Sequence, residues 1–212
     1  FALPAASTFT LANGLEVVVL PRAGTPNVSV RLTVRAGRDA SSDDVALANL
    51  TAKLLRDGTT SRTADQIATF VDGNGLAFGT SVEANRVVIA ADGLSNSLSA
   101  ALDIVADVAA HPSFPEDRVA ARKTEALGEL DRDAAQPDFQ QTRLTYKVLF
   151  GTHPYAAVYP TPAGVRTVNR RALTDFYGKT YGPSRARLVL VGDVGADIEA
   201  KVRAAFDGWT SR

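Results

Sequence analysis

Apolar and polar residues alternate along residues 28–36, with Val28, Val30, Leu32 and Val34 on one side and Ser29, Arg31, Thr33 and Arg35 on the other. That period predicts a strand with one buried face. Earlier strands are predicted at 9–11 and 15–20, flanking Asn13-Gly14, a pair suited to a tight hairpin turn. Gly37 ends the alternation. Ser41, Ser42, Asp43 and Asp44 then offer capping oxygens and negative charge to a helix running to about Arg56, which Asp57-Gly58-Thr59 stops. On that helix Leu47, Leu50 and Leu54 form a core stripe, and Asn49, Lys53 and Arg56 a polar line at i, i+4 and i+7.

Thr63 with Gln66 three residues on forms a capping box for a second helix, closed by Gly73-Asn74-Gly75. Strands follow at 76–83 and 86–91. An amphipathic helix is predicted over 94–110, closed by His111-Pro112. Pro115 opens a long helix to about Asp133, and Pro137 another to about Phe150. After an irregular stretch through His153-Pro154-Tyr155 come a helix at 171–181, a strand at 187–191 and a helix at 198–206. Hairpin-linked strands mixed with helices, without strict βαβ alternation, give an α+β fold: a mostly antiparallel sheet covered on one side by helices. With no internal repeat and no Gly/Ser linker, residues 1–212 are expected to form a single domain.

Composition removes several function classes. Of 212 residues 45% are hydrophobic and 22% charged, enough to bury a core. Lys+Arg and Asp+Glu number 23 each, so no net field draws nucleic acid. The absence of cysteine rules out disulfides, iron–sulfur clusters, zinc ribbons and thiol nucleophiles, and His111 and His153 are too few for a histidine-rich metal site. No segment approaches the ~20 apolar residues of a membrane span. The chain begins at Phe1 and contains no methionine, which suggests a processed product or a piece of a longer protein. The compartment is left open between a bacterial periplasm and the cytoplasm.

Each remaining candidate has an ordinary explanation. His111 precedes Pro112 at a helix end, where C-capping accounts for it, and His153 reads as a structural loop contact. Capping likewise explains Ser41 and Ser42 beside Asp43 and Asp44. The glycines between 73 and 79 do not lead from a strand into a helix, as dinucleotide binding requires.

The order of phrases along the chain carries a resemblance. F-T-L-A-N-G-L-E-V-V-V-L-P at the start, Ala36-Gly37, the helix ending in Gly58-Thr59, and the Thr63-to-Gly75 helix are its first members. Pro112-Ser113-Phe114-Pro115-Glu116, His153-Pro154-Tyr155 and the closing L-V-L-V-G-D-V complete it. Together they resemble the pitrilysin and mitochondrial-processing-peptidase family of zinc metallopeptidases, from about Thr8 to Trp209. The resemblance implies a mitochondrial-processing-peptidase-like metallohydrolase domain, one of a tandem. Active members carry the inverted motif H-x-x-E-H: two histidines one helical turn apart grip zinc, the glutamate between them accepts a proton from the metal-bound water, and a distant glutamate completes the ligands.

At the motif's place this chain has Asn49-Leu50-Thr51-Ala52-Lys53. By that resemblance Asn49 and Lys53 replace the histidines and Ala52 the general base. Glu129 stands at the distant ligand position, and Arg122 replaces a helper acid seven residues before it. No metal is expected in this domain and no catalytic residue; zinc belongs to a partner domain. Lys53 is a candidate to pair with Glu129, the alternative being two solvated surface charges. Residues Leu76, Ala77, Phe78, Gly79 and Thr80 match a cleft-bordering strand that holds substrate by strand addition, the alternative being an ordinary strand with both edges covered. The resemblance thus implies a non-catalytic domain that encloses or positions a peptide for a metal-bearing companion domain or subunit. A purely structural member of a larger complex and a peptide-binding module are the alternatives.

Overall fold

The computed structural model describes residues 5–40 and 45–210; the capping set at Ser41, Ser42, Asp43 and Asp44 lies outside them. Six strands form one sheet: β1 (Ser7–Thr10), β2 (Glu16–Pro21), β3 (Asn27–Val34), β4 (Ala77–Val82), β5 (Val87–Leu94) and β6 (Ala186–Gly192). Their spatial order is β1-β2-β6-β3-β5-β4. Only β2 and β6 pair parallel; every other neighbour is antiparallel. The predicted mostly antiparallel sheet is therefore the observed one. The late strand β6 is inserted between β2 and β3, where Leu188 and Leu190 are fully buried.

The alternation along β3 holds: Val28, Val30, Leu32 and Val34 are buried, and Ser29, Arg31 and Thr33 are half-buried on the opposite face. The buried face meets α1 (Ala46–Leu54), α2 (Ala64–Gly73), α3 (Leu98–Ala110), α4 (Glu116–Ala134), α7 (Arg170–Thr180) and α8 (Ile198–Phe206) through one contiguous cluster of apolar side chains. Two further helices, α5 (Pro137–Phe150) and α6 (Pro162–Thr167), flank α4. Near the chain's end Asn13 donates to the carbonyls of Phe206 and Trp209, so the β1–β2 loop holds α8 in place.

Several boundaries differ from the sequence reading. α1 ends at Leu54 and continues as a 3-10 turn, Leu55–Asp57, so Arg56 leaves the helical polar line. Leu47 is only half-buried, whereas Ala46, Ala48, Thr51 and Ala52 join Leu50 and Leu54 inside; the helix is packed on most of its circumference. Strand β5 runs on to Leu94, which delays α3 to Leu98. Pro115 is the N-cap of α4 and not its first residue. The short helix α6, begun by Thr161 and Pro162, has too few apolar residues for periodicity to reveal it. The capping box at Thr63 and Gln66 is formed in both directions.

Two glycines explain phrases of the resemblance. Gly58 closes the turn after α1 at φ 153°, where an added Cβ would meet Ser113 Oγ at 3.0 Å. At Gly37 a Cβ would lie 2.3 Å from the Arg86 nitrogen, so the β4–β5 turn packs directly on its backbone. The loop after Gly58 is tied to α3 through Asp107, a buried carboxylate that accepts from Thr59, Ser61 and Arg62.

Candidate functional site

α1 and α4 lie against each other, and their facing residues include the positions singled out in the sequence. Lys53 Nζ stands 2.7 Å from Glu129 Oε2, so the pairing expected of these side chains is formed across 76 residues of chain. Both side chains are about two-fifths exposed, at 40% and 39%. Water screens such a pair, and its net contribution is about 0.2–1 kcal/mol, well short of the cost of a charge buried alone.

Arg122, two turns further back on the same face of α4, pairs elsewhere. Its guanidinium grips Asp57 through two bonds, Nε to Oδ2 at 2.6 Å and Nη2 to Oδ1 at 2.8 Å, and Nη1 donates to Glu125 at 2.6 Å. Asp57 is only 2% exposed, and Arg118 Nη2 stands 3.5 Å from its Oδ1. These bonds to Asp57, more than any other influence, raise the Arg122 pKa above the ordinary arginine value. The Arg122 bond in turn holds Glu125 below the usual carboxylate range, with Lys53 acting in the same sense. Lys53 thus pairs with Glu129, while Arg118 and Arg122 share Asp57 and Arg122 also reaches Glu125.

Sequence reasoning missed Asp57, which reads as a helix-stop residue, and also Arg118 and Glu125. Their signal was present: Arg118, Arg122, Glu125 and Glu129 recur at i, i+4, i+7 and i+11, one face of α4.

The remaining motif positions offer little chemistry. Ala52, which the resemblance sets at the place of a general base, is 1% exposed and carries no proton acceptor. Asn49 is half-buried one turn before Lys53. Zinc does not fit this donor set. The ammonium of Lys53 occupies the Glu129 carboxylate, and the Asn49 amide one turn earlier is a poor ligand for zinc. Among the described residues no group of three or more His, Cys, Asp or Glu could hold a metal ion. His111 caps α3, its backbone N–H donating to the Asp107 carbonyl, and His153 Nδ1 accepts from the Tyr155 N–H at 3.2 Å.

Strand β4 borders the same place. Thr80 Oγ1 donates to the carbonyl of Ala52 at 2.7 Å, joining the strand to the motif helix. Contrary to the alternative of two covered edges, β4 is the last strand of the sheet and pairs only with β5. Glu83 donates to the Arg86 carbonyl, and the alternation of an antiparallel ladder then turns the backbone groups of Phe78, Thr80 and Val82 outward. Val82's carbonyl accepts from Arg38 Nη1, covering that end of the edge. A Cβ on Gly79 would meet nothing within 4 Å. Ala77 is exposed, whereas Leu76 is 7% exposed, lies before the strand, and donates its N–H to Val71.

Comparison with known proteins places this arrangement. The chain is 29% identical over 200 residues to an uncharacterized zinc protease of Mycobacterium leprae, covering 93% of this chain and 45% of the relative. To a zinc protease of Rickettsia bellii it is 27% identical over 197 residues, covering 92% and 47%. Among solved structures, a peptidase M16 inactive domain from Pseudomonas fluorescens superposes with a TM-score of 0.91 at 25% identity, covering 98% of this chain and 52% of that one. A protease from Helicobacter pylori gives 0.93 at 18% identity, covering 99% and 52%. The chain therefore spans about half the length of the relatives it matches. The family model for insulinase, peptidase family M16, matches residues 17–156, about two-thirds of the sequence. With that match and this fold, the chain belongs to the M16 peptidase family.

Proposed function

We propose that this domain is a non-catalytic half of an M16 zinc peptidase assembly, which encloses and orients a peptide for a companion domain that carries the metal. The Lys53–Glu129 ion pair, at 2.7 Å, carries the reading. It ties up the one carboxylate that matches a family ligand position, and the buried Ala52 leaves no base to activate water. Chemistry is then supplied elsewhere, and this domain contributes position. The outward backbone groups of Phe78 and Thr80, beside Ala52, support a contact through strand addition: main-chain hydrogen bonds hold an extended peptide without regard to its sequence. Substrates on this reading are peptides or unfolded segments. That edge is also what favours the second reading, a peptide-binding module acting without any peptidase.

The test uses the chain alone and then with a companion M16 domain bearing an intact H-x-x-E-H. Alone, it retains no zinc by elemental analysis after purification without chelators and cleaves no quenched fluorescent peptide. With the companion, cleavage occurs, and Phe78→Pro, which removes an outward N–H, raises KM several-fold relative to Phe78→Ala with kcat little changed. Stoichiometric zinc or cleavage by the chain alone overturns the proposal. Peptide affinity of the isolated domain, with no companion able to restore cleavage, favours the second reading.

A further inference from the structure

α5 is held to the rest of the domain along one side only. Among the described residues, each of the other seven helices buries at least one side chain, and α5 buries none. It forms for local reasons: Pro137 sits in its first turn and Gly151, at φ 57°, ends it. Yet its last two turns are apolar. Leu144, Tyr146, Val148, Leu149 and Phe150 are 64%, 37%, 75%, 69% and 38% exposed; among the described residues the other large hydrophobic residue so exposed is Leu94.

The two sides of the helix behave differently. Phe139, Tyr146 and Phe150, at i, i+7 and i+11, lie on one side. Phe139 stacks on Tyr159 with ring centroids 4.2 Å apart, and Phe150 lies 5.9 Å from Tyr155 and 5.5 Å from Tyr146. That side holds α5 to its own chain. Leu144 and Val148, one turn apart, lie on the opposite side with Leu149 at their flank; the uncharged Gln141 and Thr145 continue that side, and Lys147 borders it. Three large aliphatic side chains held in water on one rigid helix mark an interaction surface.

We propose that the Leu144–Val148–Leu149 face of α5 is the docking surface for a second domain of the same M16 fold, presented to it as a helix laid on an apolar surface. The proposal rests on the reading of this chain as one half of an assembly. Length is what selects this occupant: solved chains that this one matches over 98–99% of its own residues are about twice as long, leaving a second half of similar size. Chemistry agrees, because an aliphatic face with a single lysine, Lys147, at its border matches an apolar protein surface and offers no cluster of charge to nucleic acid or to an acidic or basic peptide.

Hydrogen exchange on the chain, alone and with a companion M16 domain bearing H-x-x-E-H from the same organism, tests it. The amides of α5 are expected to exchange at least about tenfold more slowly in the pair. Leu144→Glu with Val148→Glu, both on exposed positions, is expected to leave the circular dichroism and Tm of the isolated chain unchanged while raising the Kd of the pair about thirtyfold or more. A pair that forms with α5 exchange unchanged, or that tolerates the double variant, overturns this inference and leaves the function proposed above standing. Failure of the native chain to bind any such companion overturns both. Concentration-dependent self-association abolished by the double variant would assign the face to a second copy instead, and so overturns the proposal too.

Discussion

Asp57 ends the 3-10 turn after α1, only 2% exposed, with its carboxylate held by two bonds from Arg122. Removing its charge leaves the guanidinium of Arg122, itself 22% exposed, facing a site built for an anion. Asp57→Asn is therefore expected to destabilise the domain by about 3 kcal/mol in urea titration, as breaking one side of a buried pair does. The half-exposed Lys53–Glu129 pair is a smaller stabiliser and a better marker of geometry. Because Lys53 Nζ reaches Glu129 at 2.7 Å, a histidine at 53 with another one turn earlier at 49 brings two imidazoles and a carboxylate together. Asn49→His with Lys53→His is expected to raise Tm on addition of Zn²⁺, whereas the native chain shows no zinc-dependent rise. Peptide hydrolysis stays absent, since Ala52 still provides no proton acceptor. The side chains at Asn49, Ala52 and Lys53 were legible in the sequence; the role of Asp57 was not, because burial of a single carboxylate follows from where α4 packs.

At the scale of elements, local signals fixed most of what formed. Thr63 caps α2 and Gln66 returns the bond, and Asn169 and Thr161 cap α7 and α6 in the same manner. Thr63→Ala is expected to cost about 1 kcal/mol, measured as a lower urea midpoint with unchanged slope. α5 and α8 end where their patterns end, at Phe150 and Phe206. The errors arose where tertiary contacts override pattern. Leu94 reads as a helix start, but residues 92–94 continue β5, pairing with β3 at Ser29, Val28 and Asn27 and with β4 at Ala77. α1 reads as an amphipathic surface helix, yet contacts with β4, α4 and α7 enclose it, and its alanines permit that close packing.

Over the whole molecule, charge balance hides strong local pairing. On the sheet face opposite the helices, Arg31 grips Asp92 through two bonds, at 2.8 and 2.7 Å. Partial burial pushes the Asp92 pKa up, but the bonds from Arg31 and Ser29 outweigh it and hold it below the ordinary aspartate value; Glu125 likewise lies below the ordinary glutamate value. A carboxylate depressed in the folded state contributes stability that is present above its unfolded pKa and lost as pH falls through the folded one. The native urea midpoint is expected to fall in that acid range. Asp92→Asn with Glu125→Gln should lower the midpoint at pH 7 and converge on the native curve at the acid end. The sequence by itself determined the class of fold, most helices and strands, and the side chains that Asn49, Ala52 and Lys53 present on α1, because periodicity, caps and residue identity are local properties. Only the tertiary structure decided that β6 enters between β2 and β3, that Lys53 meets Glu129 while Arg122 turns to Asp57, and that β4 is left at an open edge. Those are contacts between residues far apart in the chain, which packing of the shared core selects and no local pattern encodes.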